Sequence, residues 1–233
     1  MILPELRERV CAANLWLWRS GLVVLTWGNV SGLDREKGIW AIKPSGVPYE
    51  KLKPEDLVLL DLEGKLVEGK LRPSTDTPTH LVLYQSFPGI GGVAHSHSPA
   101  ATSFAQACRP IPCLGTTHAD HFAGEVPVSR FLREEEVQGA YELSTGKVIV
   151  ETLRGRDPLR VPACLVAGHG PFVWGKSPEE AVRNAIALEE IAKMARDTLA
   201  LAQRPPPLPD YLLRKHFSRK HGPSAYYGQA ESP

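Results

Sequence analysis

The chain has 233 residues, 42% of them hydrophobic and 23% charged, enough to bury one substantial core and short for two enzymatic domains. Its 27 basic and 26 acidic residues leave a formal charge of +1, so no global field draws it onto nucleic acid or an anionic membrane, and any anion must be caught locally. No apolar run approaches the roughly 20 residues that span a bilayer, and the opening MILPELRERV lacks a signal peptide's apolar stretch, so a cytoplasmic protein without nucleic-acid or membrane partners is expected.

Leu6, Val10, Ala13 and Leu17 recur at helical spacing, predicting an amphipathic helix over 4–20 that Gly21 ends. LVVLTWGNVSG, GIWAIKPSG and EDLVLLDLEGKLVEG set β-branched and aromatic residues between turn formers, as short strands do. Thr77 is placed to cap a helix starting at Pro78 and running through THLVLYQSF, after which GGVAHSH reads as a buried strand and Pro99 to Ala107 as a helix. VPVS, KVIVETL and ACLVAGHG read as further strands, with a helix around Glu134 to Leu143 and Gly146 closing the connection. Ser177, Pro178 and Glu180 form a capping-box start for a helix reaching about Ala202, whose buried face is Ala185, Leu188, Ala192, Ala195 and Leu199. PPPLP at 205–209 is a stiff spacer that delivers the tail elsewhere. Helices among several strands in irregular order predict one layered α/β domain with a largely antiparallel or mixed sheet.

Cys11, Cys108, Cys113 and Cys164 show no CxxC spacing and suit reduced packing thiols, so the ligands of any metal must be histidines and carboxylates. His95 and His97 lie two apart on a strand, which sends both imidazoles to one side about 7 Å apart along the chain. A catalytic zinc commonly keeps three protein ligands, and His169, flanked by glycines at the end of another apolar segment, is the candidate third. Ser74, Thr75 and Asp76 precede a helix N-terminus, where they serve either as turn and cap or as an anion site; TWGNVS and KPSG carry the same ambiguity between ordinary turns and a phosphate nest. Gly89, Gly91, Gly92 and Ala94 mimic a dinucleotide fingerprint, but they follow a helix and lead into a strand, the reverse of the required order. GTTHADHF concentrates Thr116, Thr117, His118, Asp120 and His121, and the tail adds His216, His221, Tyr226 and Tyr227 on a segment suited to completing a neighbouring subunit's site.

The stretches TWGNVS, IKPSGV, PSTDTPTH, GGVAHSHS, GTTHAD, GHGPFVWG and KHGPSAYYGQ together resemble the epimerase branch of the class II sugar-phosphate aldolase family, over nearly the whole chain. That resemblance implies a three-layer α/β/α catalytic domain over 1–204, with 205–233 completing a site at a subunit interface of a four-fold homotetramer. It implies one Zn2+ per subunit, replaceable by Mn2+ or Co2+, held by His95, His97 and His169 with Asp76 beside them. The substrate phosphate would meet Gly28, Asn29, Lys43, Ser45, Gly46, Ser74 and Thr75, while Asp120 and Tyr227 of the adjacent subunit would transfer protons with His216 assisting. The reaction implied is interconversion of L-ribulose 5-phosphate and D-xylulose 5-phosphate through cleavage and re-formation of C3–C4. Two alternatives stand beside it: an aldolase cleaving a sugar phosphate such as L-fuculose 1-phosphate, which would carry Glu where Asp76 stands, and a non-catalytic interaction domain like the adducin head. Ala167 and Gly168 depart from the family pattern, in which polar residues can precede the third histidine.

Overall fold

The structure, a computed structural model, describes residues 1–202, 204–222 and 225–227. In chain order the helices are α1 (Pro4–Arg19), α2 (Thr77–Ser86), α3 (Pro99–Gln106), α4 (Thr116–Ala119), α5 (Glu134–Gln138), α6 (Tyr141–Thr152), α7 (Pro178–Leu201) and α8 (Asp210–Lys220). The strands are β1 (Gly28–Asp34), β2 (Ile39–Ile42), β3 (Val58–Asp61), β4 (Leu66–Glu68), β5 (Gly92–Ser96), β6 (Ala163–Val166) and β7 (Gly170–Gly175). They form one seven-stranded sheet in the order β4-β3-β2-β1-β5-β7-β6, with every named pair antiparallel.

Both faces of the sheet are covered, which explains why its strands read as continuous buried runs. On one face Val30, Ala94 and Val173 pack with α1, α3 and α7 through Leu17, Phe104, Val182 and Leu188. On the other Leu33, Val93, Phe172 and Trp174 pack with α2 and α6 through Leu83, Phe87, Ile149 and Leu153. The expected three-layer α/β/α arrangement is therefore observed. Alternation along β1 and β5 decides which side chains reach the second of these layers: Ser31, Leu33 and Val93 face α2 and α6, so by the period of two Asn29 and His95 do as well.

Ser177 caps α7 by accepting from the Glu180 N–H, as expected, although Glu180 reaches back to the N–H of Lys176 rather than of Ser177. The buried Glu189 of α7 accepts from the N–H groups of Ala100 and Ala101 and so holds the start of α3, just after His97.

Some expectations fail. KVIVETL is not a strand but the body of α6, and Gly146 does not close a connection: it lies mid-helix. A Cβ there would stand 2.7 Å from that of Val82, so glycine lets α2 and α6 approach closely, and this packing outweighs the β-preference of Val148, Ile149 and Val150. Likewise Thr77 is the first helical residue of α2 rather than its cap. Asp76 holds the cap position, and Thr77 donates to the Ser74 carbonyl. VPVS contributes only isolated bridges, Val126 to Ile111 and Val128 to Leu165.

Candidate metal and phosphate site

His95 sits near the end of β5, His97 just beyond it, and His169 in the tight connection from β6 to β7. Their Nε2 atoms converge: His97 Nε2 lies 3.1 Å from Nε2 of His95 and 3.1 Å from Nε2 of His169. Donors about 2.0 Å from a tetrahedral zinc lie roughly 3.3 Å apart, so the spacing matches one ion. His95 Nδ1 is 2.9 Å from the Pro171 carbonyl, a pure acceptor, so Nδ1 carries the hydrogen and Nε2 keeps its lone pair for the shared point. His169 Nδ1 meets the Tyr141 hydroxyl at 3.3 Å. Burial, then the neighbouring imidazoles, lower the pKa of His97 and bring that of His169 down to about 4, which keeps both rings neutral and able to ligate. The donor set and its fixed tautomer fit a divalent ion.

These rings form one wall of a cavity of about 390 Å³, whose other walls contain Gly28, Asn29, Lys43, Ser45, Gly46, Ser74, Thr75 and Asp76. The fold thus gathers into one cavity all eight residues that the scattered turns of the sequence offered. Asp76 is tied to Asn29, whose Nδ2 donates to its Oδ2 at 2.7 Å and contacts Ser74 Oγ at 3.1 Å. Burial pushes the Asp76 carboxyl up, but His95, His80 and the Asn29 bond outweigh it and leave the group below its ordinary value, hence ionised. Its oxygens are not among the mutually close histidine donors. Lys43 is only 2% exposed; burial brings its pKa down to about 8, and its Nζ lies 4.7 Å over the Tyr49 ring, with no carboxylate partner among the described residues. A buried cation without a counter-ion beside hydroxyls and turn amides is suited to a phosphate dianion. Gly28 lies against the back of His95: a Cβ would stand 2.7 Å from the His95 carbonyl, so a larger residue would push β5 away.

Tyr141 and Glu142, at the start of α6, also line the cavity and escape the sequence reading, because they fall in a segment whose end carries no chemical pattern.

Asp120, His216 and Tyr227 lie elsewhere in the same chain, and none lines the histidine cavity. Asp120 follows α4, against which α8 packs. Arg219 of α8 grips its carboxylate at 2.9 and 2.6 Å, His216 Nδ1 approaches at 3.1 Å, and His221 Nε2 meets its carbonyl at 3.0 Å. Burial raises the Asp120 carboxyl, yet the bonds from Arg219 and His216 prevail and hold it below its ordinary value. Tyr227 is 61% exposed, its ring lying under Lys220 and Arg219. The three candidates thus stand together, apart from their own chain's histidines.

Residues 8–196 match the family described as Class II Aldolase and Adducin N-terminal domain. The chain belongs to this family. Within it, the chain is 56% identical to the L-ribulose-5-phosphate 4-epimerase UlaF of Salmonella paratyphi B over 227 residues, 97% of this chain and all of that one. Among solved structures it is similar to an L-fuculose 1-phosphate aldolase, with 27% identity, a TM-score of 0.73 and coverage of 92% and 95% of the two chains. A putative aldolase/epimerase/decarboxylase, YgbL of Klebsiella pneumoniae, superposes with a TM-score of 0.71 at 28% identity over 91% and 97%. The class II aldolase relationship agrees with the fold and with a histidine triad able to take a divalent ion.

Proposed function

We propose that this chain is a metal-dependent L-ribulose-5-phosphate 4-epimerase. The observation that carries the reading is the meeting of three imidazole Nε2 atoms, of His95, His97 and His169, on the wall of a cavity that also holds Lys43, a buried lysine with no carboxylate partner among the described residues. The 56% identity to an epimerase over the whole length of that relative selects the substrate. Zn2+, or Mn2+ or Co2+ in its place, would be held by the triad and would supply a Lewis acid for negative charge on the ketose oxygens.

The C4 hydrogen of L-ribulose 5-phosphate is not α to the C2 carbonyl, so simple deprotonation cannot invert that centre. Breaking C3–C4 can. A base takes the C4 hydroxyl proton, the C3–C4 electron pair passes to the dihydroxyacetone fragment as an enediolate, and glycolaldehyde phosphate is left. The aldehyde turns its other face, the bond re-forms, and an acid protonates the new C4 oxygen. Lys43, with Gly28, Asn29, Ser45, Gly46, Ser74 and Thr75, holds the phosphate so that the aldehyde turns without escaping. Asn29 and Ser74 keep Asp76 facing the triad. Asp120 and Tyr227 of an adjacent subunit form the proton-transfer pair, with His216 orienting Asp120.

Two features support such an assembly. The acid/base candidates are gathered outside their own chain's cavity, and Trp27, which lines the cavity, is exposed, as are Val24 and Leu25 just before it in the chain. A homotetramer with sites at its boundaries satisfies both, with residues 205–233 as the completing segment. No helix among the described residues is long and apolar enough to cross a membrane, and a cytoplasmic enzyme of sugar-phosphate metabolism is the setting this reading implies.

The test is a coupled assay for D-xylulose 5-phosphate made from L-ribulose 5-phosphate, with and without a chelator. Chelator-sensitive turnover is expected. Release of stoichiometric glycolaldehyde phosphate would replace the epimerase by an aldolase, and absence of both products would sink the enzymatic reading.

A further inference from the structure

Beneath the candidate metal pocket lie three buried polar residues, Ser31, His80 and Tyr84, that the proposed chemistry leaves unused. Asp76, His80 and Tyr84 recur at intervals of four and so share one face of α2, while Asn29 and Ser31 share one face of β1. The two faces meet as matched pairs. Asn29 Nδ2 donates to Asp76 at 2.7 Å, and Ser31 Oγ lies 2.7 Å from both His80 Nδ1 and the Tyr84 hydroxyl. Ser31, His80 and Tyr84 are at most 1% exposed.

Burial lowers the His80 pKa to about 3, so the ring is neutral and has one N–H. If Tyr84 donates to Ser31 and Ser31 to Nδ1, both hydroxyl protons are used and the ring hydrogen sits on Nε2, the one nitrogen without a partner among the described residues. The ring also meets Phe172 edge-on at 6.1 Å, and the face of Phe172 carries the His95 ring at 4.1 Å. Through Phe172, His80 therefore backs the His95 wall of the pocket.

Apolar residues would hold α2 on the sheet as well, but they would tolerate sliding. A serine shared by a histidine and a tyrosine is satisfied in a single register. We propose that Ser31, His80 and Tyr84 are positioning residues for the metal pocket: their hydrogen-bonded chain locks α2 to β1 in the register that holds Asp76 on Asn29 beside His95. The proposal rests on reading that pocket as a metal site.

The experiment uses the full chain loaded with Co2+, and compares His80→Leu, His80→Asn and Tyr84→Phe with and without Asp76→Asn. His80→Leu should weaken Co2+ affinity about tenfold in chelator competition, alter the visible absorption band and lower kcat about tenfold, the scale of losing support behind a ligand. His80→Asn, whose amide reaches the Nδ1 position, should recover most of this. In the Asp76→Asn background His80→Leu should add little, because both changes break one coupled unit. Should His80→Leu not fold, Tyr84→Phe carries the same comparison. A lowered melting temperature with unchanged Co2+ affinity and band, or additive effects in the double variant, overturns the proposal. A wild-type chain that binds no Co2+ sinks the metal reading and this one with it, whereas Co2+ binding without epimerase activity removes only the assigned reaction and leaves the affinity comparison decisive.

Discussion

The histidine cavity and the Asp120 cluster carry the two halves of the proposed chemistry and are built in opposite ways. The cavity wall is made of strand ends and the start of α2, with His97 and His169 kept neutral by burial and by the neighbouring imidazoles. The cluster is built around paired charges. Asp120 is surrounded by Arg219, Lys220 and His216 on α8, a helix attached through the Pro205–Pro209 spacer rather than woven into the sheet. Rigid, neutral donors suit a metal, whose affinity falls when ligands protonate or shift. A charged cluster on a peripheral helix suits a group that must be presented to another subunit, and Arg219 holding Asp120 ionised gives a carboxylate ready to accept a proton only when the guanidinium relaxes its grip.

The largest expected effect breaks the first region. His97→Ala removes the nitrogen that both other imidazoles approach, and should abolish stoichiometric zinc and lower kcat about a thousandfold or more, measured by elemental analysis and the coupled assay. Retained turnover would end the metal reading. Next comes the second region: Tyr227→Phe should keep metal and fold while lowering kcat about a hundredfold, the scale of a lost acid or base. Mixing the two inactive variants then joins the regions. If each site combines one subunit's triad with a neighbour's Tyr227, co-refolded His97→Ala and Tyr227→Phe chains should regain about a quarter of wild-type activity, half times half of the sites having both parts. No recovery, with mixed oligomers demonstrated, would place Tyr227 outside the neighbour's site.

The two regions also differ in how far the sequence exposes them. His95-x-His97 on an apolar strand, a glycine-flanked His169 and the hydroxyls before α2 announce their chemistry locally, and the fold brings all of them to one cavity. The helical α6 is hidden because Lys147 to Leu153 is rich in β-branched residues, and only the contact of Gly146 with Val82 reveals why they coil. Tyr141 and Glu142 fall inside the helix expected over 134–143 and are missed only because nothing in their local pattern marks a site. The Ser31, His80 and Tyr84 row is invisible for another reason: a period of two on β1 and of four on α2 coincide only once the elements have docked. The match of α8 to Asp120 is equally non-local, spanning 99 residues from Arg219. Asp76 shows the limit of a local rule, since position alone favours Thr77 as the helix cap and tertiary contacts give that position to the residue one earlier.

A smaller effect separates phosphate holding from chemistry. Lys43→Met keeps the stem that packs near Tyr49 and removes only the charge, so KM should rise about tenfold, with kcat changed less, if the ammonium meets the phosphate equally in ground and transition states. A larger fall in kcat than rise in KM would move Lys43 from phosphate holding into the reaction.

The smallest expected effect is in stability, and it asks which region acid opens first. His80 beneath the cavity and His118 of α4 are both buried, and burial brings their pKa values down to about 3 and about 4 from an ordinary 6.5. In the unfolded chain each takes a proton near pH 6.5 that the folded protein refuses, so their contribution to stability is complete above that pH and is lost as pH falls toward 4. Asp120 has the same sign at a lower range: its paired, depressed carboxyl supports folding above about pH 4 and loses that support below it. Melting temperature should therefore decline by several degrees from about pH 7 to about pH 5. His80→Asn and His118→Gln should each flatten that decline, while Asp120→Asn should leave it alone and act only nearer pH 4. A decline that Asp120→Asn abolishes would mean that the charged cluster on α8, rather than the buried histidines, is where the fold first yields to acid.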